Sequence, residues 1–391
     1  MGRQKEMKQR SAGFSLVELM VGMVIGLLGV LVIMQVFTAS ESQKRTTSGG
    51  ADAQMNGAIA LYTVTRDISM AGYGLTSAQS GFDYFGCTIR AYNALAPSPG
   101  TFNFSLVPLK IDQGAGGAPD EIEVTYGSSD GLAVGVPFDQ QSGASANYKI
   151  QNGTLRDSFQ IGDLVIAVEQ GKDCSLAQVT GLPGSAACAG GSGSGQTDVV
   201  VHNAGNFKNP YKSCSTVSSN YNKPGGLGIT YTSGLLFNIG PEPVVNKYEI
   251  DDNALELKTR FPYVASEDSD NDGYSDYQLV NEVVDLQAEY GMDDGVDNGT
   301  VSNATYAAND GVIDEFTTTT PANATQWGQL LAVRIGLVAR SGAREVGTVT
   351  TSAPTWAGGA FTHVTTLADW QHYRYKVFET VTPLRNMIWR Q

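Results

Sequence analysis

Nineteen consecutive residues, Leu19 to Phe37, carry one strongly polar side chain, Gln35. As an α-helix that stretch is about 28 Å long, enough to cross the hydrocarbon core of a bilayer. It is the feature the rest of the chain has to be arranged around. The thirteen residues before Phe14 carry Arg3, Lys5, Lys8 and Arg10 against Glu6, a net charge of +3. Basic residues ahead of a span hold that end in the cytoplasm and send the remainder across. An ordinary secretory signal peptide is the rival reading, but the span is long for one and no A-x-A-like site follows it. Glu18 suits neither a signal peptide nor a plain anchor. A carboxylate at the start of a membrane helix is costly and normally marks a partner or a function.

Gly13-Phe14-Ser15-Leu16-Val17-Glu18-Leu19 resembles the prepilin signature of type IV pilins and type II secretion pseudopilins. The resemblance implies that a prepilin peptidase cuts after Gly13 on the cytoplasmic side. It implies N-methylation of Phe14 and retention of the apolar segment as membrane anchor and assembly helix. Glu18 falls on the family's fifth mature residue, whose carboxylate pairs with the amino terminus of a neighbouring subunit. Two opposite charges buried together are tolerable in hydrocarbon where one alone is not. Gly22-x-x-x-Gly26, with Gly29 beyond, is compatible with close helix packing, although glycine is common in membrane helices generally.

The chain divides accordingly. Residues 1–13 read as a cleaved basic leader, 14–37 as the transmembrane half of a long helix, 38–71 as its periplasmic half, and 72–391 as a β-rich head. Leu61, Val64 and Ile68 form a stripe that can pack on that head. Thr46-Thr47-Ser48-Gly49-Gly50 is poor helix-forming sequence and predicts a bend or fray, and Gly72-Tyr73-Gly74 predicts the helix end. Strands are expected at residues 120–126, 162–168, 199–201, 331–340 and 373–380, the last stopped by Pro383. A hairpin is expected from Lys247 to Leu257, turning at Asp251-Asp252-Asn253. Trp327, Leu331 to Ser341, Tyr373 to Phe378, Pro383-Leu384-Arg385-Asn386 and the stretch from Asp67 to Gly74 resemble PilW-type minor pilins. The implied fold is α+β: one long amino-terminal helix packed on a pilin-like head with antiparallel sheet and large loop insertions.

Charge is distributed unevenly. From Glu267 to Glu315 there are fourteen Asp or Glu and no Lys or Arg. Without that segment the chain's 39 acids fall to 25, equal to its 25 Lys and Arg. Such a run repels itself unless it is solvated, disordered or neutralised by cations. Asp268, Asp270 and Asp272, then Gly273, Tyr274 and Asp276, follow the D-x-D-x-D-G-x-x-D order of a calcium loop. Alternate carboxylates converge there, glycine permits the sharp turn, and the seventh residue, Tyr274, lends its carbonyl. The twelfth place is Leu279 where a bidentate acid is expected. A structural Ca2+ site and a solvated acidic loop are the two readings. A second acidic fragment, Asp293-Asp294-Gly295 with Asn309-Asp310-Gly311, follows Tyr290-Gly291, as PilW-type sequences often show.

The four cysteines, Cys87, Cys174, Cys188 and Cys214, form no C-x-x-C. An even number in an exported domain favours two disulfides. Three pairings exist, and Cys174–Cys188 with Cys87–Cys214 is the one favoured here, because the first closes a short glycine-rich loop. His202, His363 and His372 lack zinc-ligand spacing, and no catalytic motif is present. A formal net charge of −14 argues against direct nucleic-acid binding. The reading is therefore a non-enzymatic minor pilin that takes part in priming type IV pilus assembly and in the tip complex. The resemblance implies as partners the prepilin peptidase, other minor pilins, the major pilin, a tip adhesin and the inner membrane. It implies a single-pass protein with a periplasmic head, later carried on the pilus at the cell surface. A J-type pseudopilin of a type II secretion system is the alternative.

Overall fold

The computed structural model describes residues 13–75, 84–97, 100–131, 134–141, 146–151, 153–185, 187–188, 198–302 and 306–388. The expected leader falls outside them except for Gly13.

Helix α1 runs unbroken from Leu16 to Met70. The bend expected at Thr46–Gly50 does not occur. Gly49 is buried there with Ser341 packed against it, so docking on the head outweighs weak local propensity. The buried face comprises Gly49, Ala53, Gly57, Ala60, Val64, Asp67, Ile68 and Ala71 at helical spacing, while Leu61 is only half-buried. The stripe is thus longer and made of smaller residues than the sequence suggested. At Gly57 a Cβ would collide with the Phe378 ring, so small residues set how closely helix and sheet approach. Asp67 is buried and accepts hydrogen bonds from Asn246 Nδ2 (2.7 Å), Tyr248 Oη (2.7 Å) and Tyr126 Oη (3.2 Å). Three donors make a buried carboxylate tolerable and fix the helix in register on the head.

The strands follow in order: β1 (Thr88–Tyr92), β2 (Thr101–Ser105), β3 (Leu109–Asp112), β4 (Glu121–Tyr126), β5 (Val136–Gln140), β6 (Asn147–Ile150), β7 (Leu164–Val168) and β8 (Cys174–Gln178). Next come β9 (Val199–Val201), the small hairpin β10 (Asn206–Asn209) and β11 (Ser215–Ser218), β12 (Gly234–Gly240), β13 (Val244–Asp251), β14 (Ala254–Thr259), β15 (Ser275–Asn281) and β16 (Val283–Met292). The chain closes with β17 (Glu315–Thr317), helix α2 (Ala324–Gly328), β18 (Leu330–Arg340), β19 (Thr355–Trp356), β20 (Gly359–Ala360), β21 (Tyr375–Pro383) and helix α3 (Arg385–Ile388).

Three larger sheets result. The eight-stranded sheet has the order β2-β1-β8-β7-β12-β5-β6-β9, antiparallel except between β1 and β8. The other two, β15-β14-β13-β4-β3 and β17-β16-β18-β21, are antiparallel throughout. Strand β7 is buried on both faces. Leu164, Ile166 and Val168 join the main core with α1, and Val165 and Ala167 join a second core with Phe138, Tyr148 and Tyr231. The expected hairpin is β13–β14, where Asp251 faces Ala254 across a two-residue turn. Asp252 (φ 41°) and Asn253 (φ 61°) both take positive φ, as a turn matching strand twist requires.

The disulfide pairing differs from expectation. Cys87 bonds Cys174, and Cys188 bonds Cys214, with Cα separations of 6.0 and 5.3 Å. Strands β1 and β8 lie side by side with Ile89 opposite Cys174, which brings Cys87 alongside. Sheet register decided the pairing, and register is invisible to an argument from loop length.

Candidate functional site: the assembly helix and the acidic loops

Helix α1 opens with a reciprocal cap. Ser15 Oγ accepts the Glu18 N–H (3.2 Å), and Glu18 Oε2 accepts the Ser15 N–H (3.0 Å). Ser15-x-x-Glu18 is a capping box legible in the sequence but masked there by the membrane argument. The Glu18 carboxylate is held at the helix start, facing back toward Phe14. Every residue from Gly13 to Ser40 is exposed, including Phe14 at 87%.

The first acidic loop brings Asp268, Asp270 and Asp276 together, with one carboxylate oxygen from each lying within 4.8 Å of the others. Asp272 turns aside: its Oδ1 accepts the Tyr274 N–H (2.8 Å). Asp268 accepts the N–H groups of Asp272 and Gly273 (3.1 Å each) and the Tyr263 hydroxyl (2.8 Å). Gly273 has φ 85°, the conformation for which the motif's glycine is needed. Tyr274 is buried, its hydroxyl donating to Glu123 (2.7 Å) and its ring lying 3.8 Å from the Arg260 guanidinium carbon. Leu279 lies on β15 and brings no carboxylate.

Sequence reasoning missed Lys258. This buried residue on β14 faces Asp276 across the β14–β15 ladder. Its Nζ lies 2.7 Å from Asp270, 3.4 Å from Asp272 and 3.8 Å from Asp276. Burial by itself would lower the Lys258 pKa. The hydrogen bond to Asp270 and the charges of Glu249, Asp272 and Asp276 outweigh burial and raise it. The same hydrogen bond lowers the Asp270 pKa. The loop's repulsion is therefore answered by an internal cation. Oxygen donors in this order suit a hard divalent ion, which would share or displace the ammonium's place.

The second acidic fragment is built differently. Asp293 and Asp314 are fully buried. Asp293 accepts the N–H groups of Asp310 (3.2 Å) and Gly311 (2.7 Å), and Asp314 accepts that of Gly295 (2.7 Å). The two loop segments clasp each other through carboxylate-to-backbone bonds. Between the two fragments, β16 carries Asp285 and Glu289 into the core. Glu289 meets Arg334 (Nε–Oε2 2.6 Å), whose guanidinium lies 4.2 Å from the Phe316 ring centre. Glu282 meets Arg340 (2.5 Å). Burial raises Asp120 to about 6 and Asp285 to about 7. Among the described residues, the group with metal-holding spacing is the one at Asp268, Asp270 and Asp276.

Comparison with known proteins points the same way at both ends of the chain. Residues 8–34 match the prokaryotic N-terminal methylation motif, and residues 248–386 match the Type IV Pilus-assembly protein W family. That family region contains β14 to β18, β21 and both acidic fragments. A type IV-like pilin, TTHA1219 from Thermus thermophilus, aligns over 84% of this chain and 95% of its own at 9% identity, with a TM-score of 0.28. A superposition that loose carries no weight. Comparison with curated proteins gives no significant match. The methylation motif implies peptidase processing and, with the apolar helix, a membrane-anchored subunit that associates with pilus components. At 8–34 by the methylation motif and at 248–386 by the family region, the chain is similar to type IV minor pilins of the PilW type.

Proposed function

We propose that this protein helps to prime type IV pilus assembly and remains in the pilus tip complex, acting through association and not through catalysis. One observation carries the reading: every residue from Phe14 to Phe37, the apolar lead into α1 and its first turns, is exposed among the described residues. A helix that is apolar all round has to be covered by lipid or by other helices. In the precursor, lipid covers it and the basic leader keeps its start cytoplasmic, with the head periplasmic. In the assembled state, helices of other minor pilins and of the major pilin replace lipid. Cleavage after Gly13 and methylation of Phe14 prepare the end that Glu18 of one subunit and the amino terminus of the next would share. The family match at 248–386 favours a pilus over a secretion system. Presentation of a tip adhesin belongs to the same proposal.

Replacing Glu18 by Ala tests the assembly step. Incorporation into sheared pili should fall steeply while both disulfides still form. Normal incorporation of Glu18→Ala subunits would overturn the pairing role.

We further propose that Asp268, Asp270 and Asp276, with the Tyr274 carbonyl and with Asp272 once it swings in from its bond to the Tyr274 N–H, hold a structural Ca2+ that orders the first acidic loop outside the cell. The converging carboxylates and the Gly273 turn support it. Lys258 stands in for the ion where calcium is scarce.

A further inference from the structure

We propose that the outer edge of β21, with the groove between it and α1, is the docking site for an extended acidic segment of a neighbouring subunit. The segment would add one more strand to the β17-β16-β18-β21 sheet. On its inner side β21 pairs with β18 from Tyr375, opposite Arg340, to Pro383, opposite Ala332. On its outer side no strand follows among the described residues. In an antiparallel ladder alternate residues turn their N–H and C=O groups outward, so this edge offers a row of unused donors and acceptors. The Leu384 N–H donates to the Leu331 carbonyl and the Ser341 N–H to the Arg374 carbonyl, so the even-numbered residues of β21 face β18. Tyr375, Val377, Glu379 and Val381 therefore turn their N–H and C=O groups outward. Pro383 has no N–H, which leaves Val381 as the last residue that could donate to an added strand.

Beside that edge lies a groove of about 670 Å³, walled by Leu61, Tyr62 and Thr65 of α1 and by Phe378 and Val381 of β21. Tyr62 and Val381 are 69% and 45% exposed. The apolar wall continues along the helix. Met55, Ile59, Tyr62, Arg66 and Met70 recur at four- and three-residue spacing and are all exposed, a second stripe distinct from the buried one. The charge at the groove is opposite to that of the chain. Arg66 and Arg385 line it, both exposed and neither in an ion pair among the described residues, and no Asp or Glu lines it with them. In a protein of net charge −14, an acid-free groove with two guanidinium groups selects for an anionic partner. Bidentate arginine–carboxylate pairs would fix its register. Main-chain bonds would supply affinity, and the apolar wall and the arginines would supply specificity.

The test uses the full chain in detergent micelles and short synthetic peptides of alternating Glu and Val. The acidic peptide should bind saturably, and the same peptide with Lys for Glu should bind at least about tenfold more weakly. Methylating alternate backbone nitrogens of the acidic peptide, in each of the two registers, should abolish binding in one register at least. The double variant Arg66→Glu, Arg385→Glu should invert the charge preference while leaving the melting temperature unchanged. Binding that is absent, indifferent to charge, or unaffected by N-methylation in both registers would overturn the proposal. A photo-crosslinking residue in place of Tyr62, in cells assembling pili, should capture an extended acidic segment of another subunit. Capture of another subunit's helix would overturn it. The identity of the partner rests on the pilin reading, but the peptide assay does not. Failure of Glu18-dependent assembly with peptide binding intact would fault that reading and spare the groove.

Discussion

Residues 267–276 and residues 282–315 belong to one acidic stretch, and the fold handles their carboxylates in opposite ways. In the first part Asp268, Asp270 and Asp276 converge in a loop at the surface, with Lys258 beneath them. In the second part Asp285, Asp293 and Asp314 are fully buried, and Glu289 is nearly so. The charge of Glu289 is met by Arg334 and those of Asp293 and Asp314 by backbone N–H groups, whereas Asp285 accepts from the Gln287 amide and is pushed by burial toward its neutral form. A surface cluster keeps water and ions as alternatives, so each of its interactions contributes little to stability. A buried carboxylate has no alternative, and removing its partner leaves the full desolvation penalty. The first region is thus free to exchange its counter-ion, and the second is committed to the fold.

Arg334→Met should break the committed region most severely. It leaves Glu289 buried without its cation, and about 3–5 kcal/mol of stability should be lost in denaturant unfolding. Adding Glu289→Gln should restore much of that loss. If Arg334→Met unfolds like the parent, the buried pair is not what holds β16 to β18.

The pH dependence of Asp285 comes next. Burial raises its pKa in the folded protein from 3.8 to about 7. A carboxyl raised on folding is protonated in the native state and ionised in the unfolded one between those values. Its contribution to stability is fully present below about 4 and is lost as pH rises through 7, a swing on the order of 2–4 kcal/mol. Asp285→Asn should therefore gain melting temperature over the parent at pH 7.5, and the gain should vanish by pH 4. A gain that is the same at both values would remove the titration argument.

Asp293→Ala should cost about 2 kcal/mol, because the Asp310 and Gly311 N–H groups lose their acceptor. The surface loop should respond least. Lys258→Met should change stability by about 1 kcal/mol in the absence of calcium. It should tighten calcium binding by about tenfold in calorimetry started from EGTA-treated protein, since the competing ammonium is gone. Asp270→Ala should abolish both the binding heat and the calcium-dependent rise in melting temperature. No heat in either the parent or Lys258→Met would leave the loop an acidic surface satisfied by lysine alone.

Much of the architecture was legible because it rests on local pattern. The apolar run to Phe37, the strand texture of β7 and the Asp252-Asn253 turn are properties of a few adjacent residues. The acidic stretch misled for the same reason. Val283 to Met292 alternates poorly, and its acids hid a strand that is buried almost throughout. Glu289 could be recognised as a core residue only by knowing that Arg334 lies opposite in the β16–β18 register. Lys258 was missed because it lies outside the acidic segment and reaches it only across β14–β15.

The sequence alone determined the apolar amino-terminal helix, the methylation motif around Gly13-Phe14, the capping residue pair Ser15 and Glu18, and the order of acids in the calcium-like loop. Each follows from composition and spacing along one continuous segment, where hydrophobicity and backbone geometry act over a few residues. Tertiary structure decided the rest. It paired Cys87 with Cys174 and Cys188 with Cys214, set Phe378 against Gly57, gave the acidic loop its lysine, and left β21, among the described residues, at the edge of its sheet beside two arginines. These depend on which distant segments become neighbours, and strand register fixes that through the packing of the whole core.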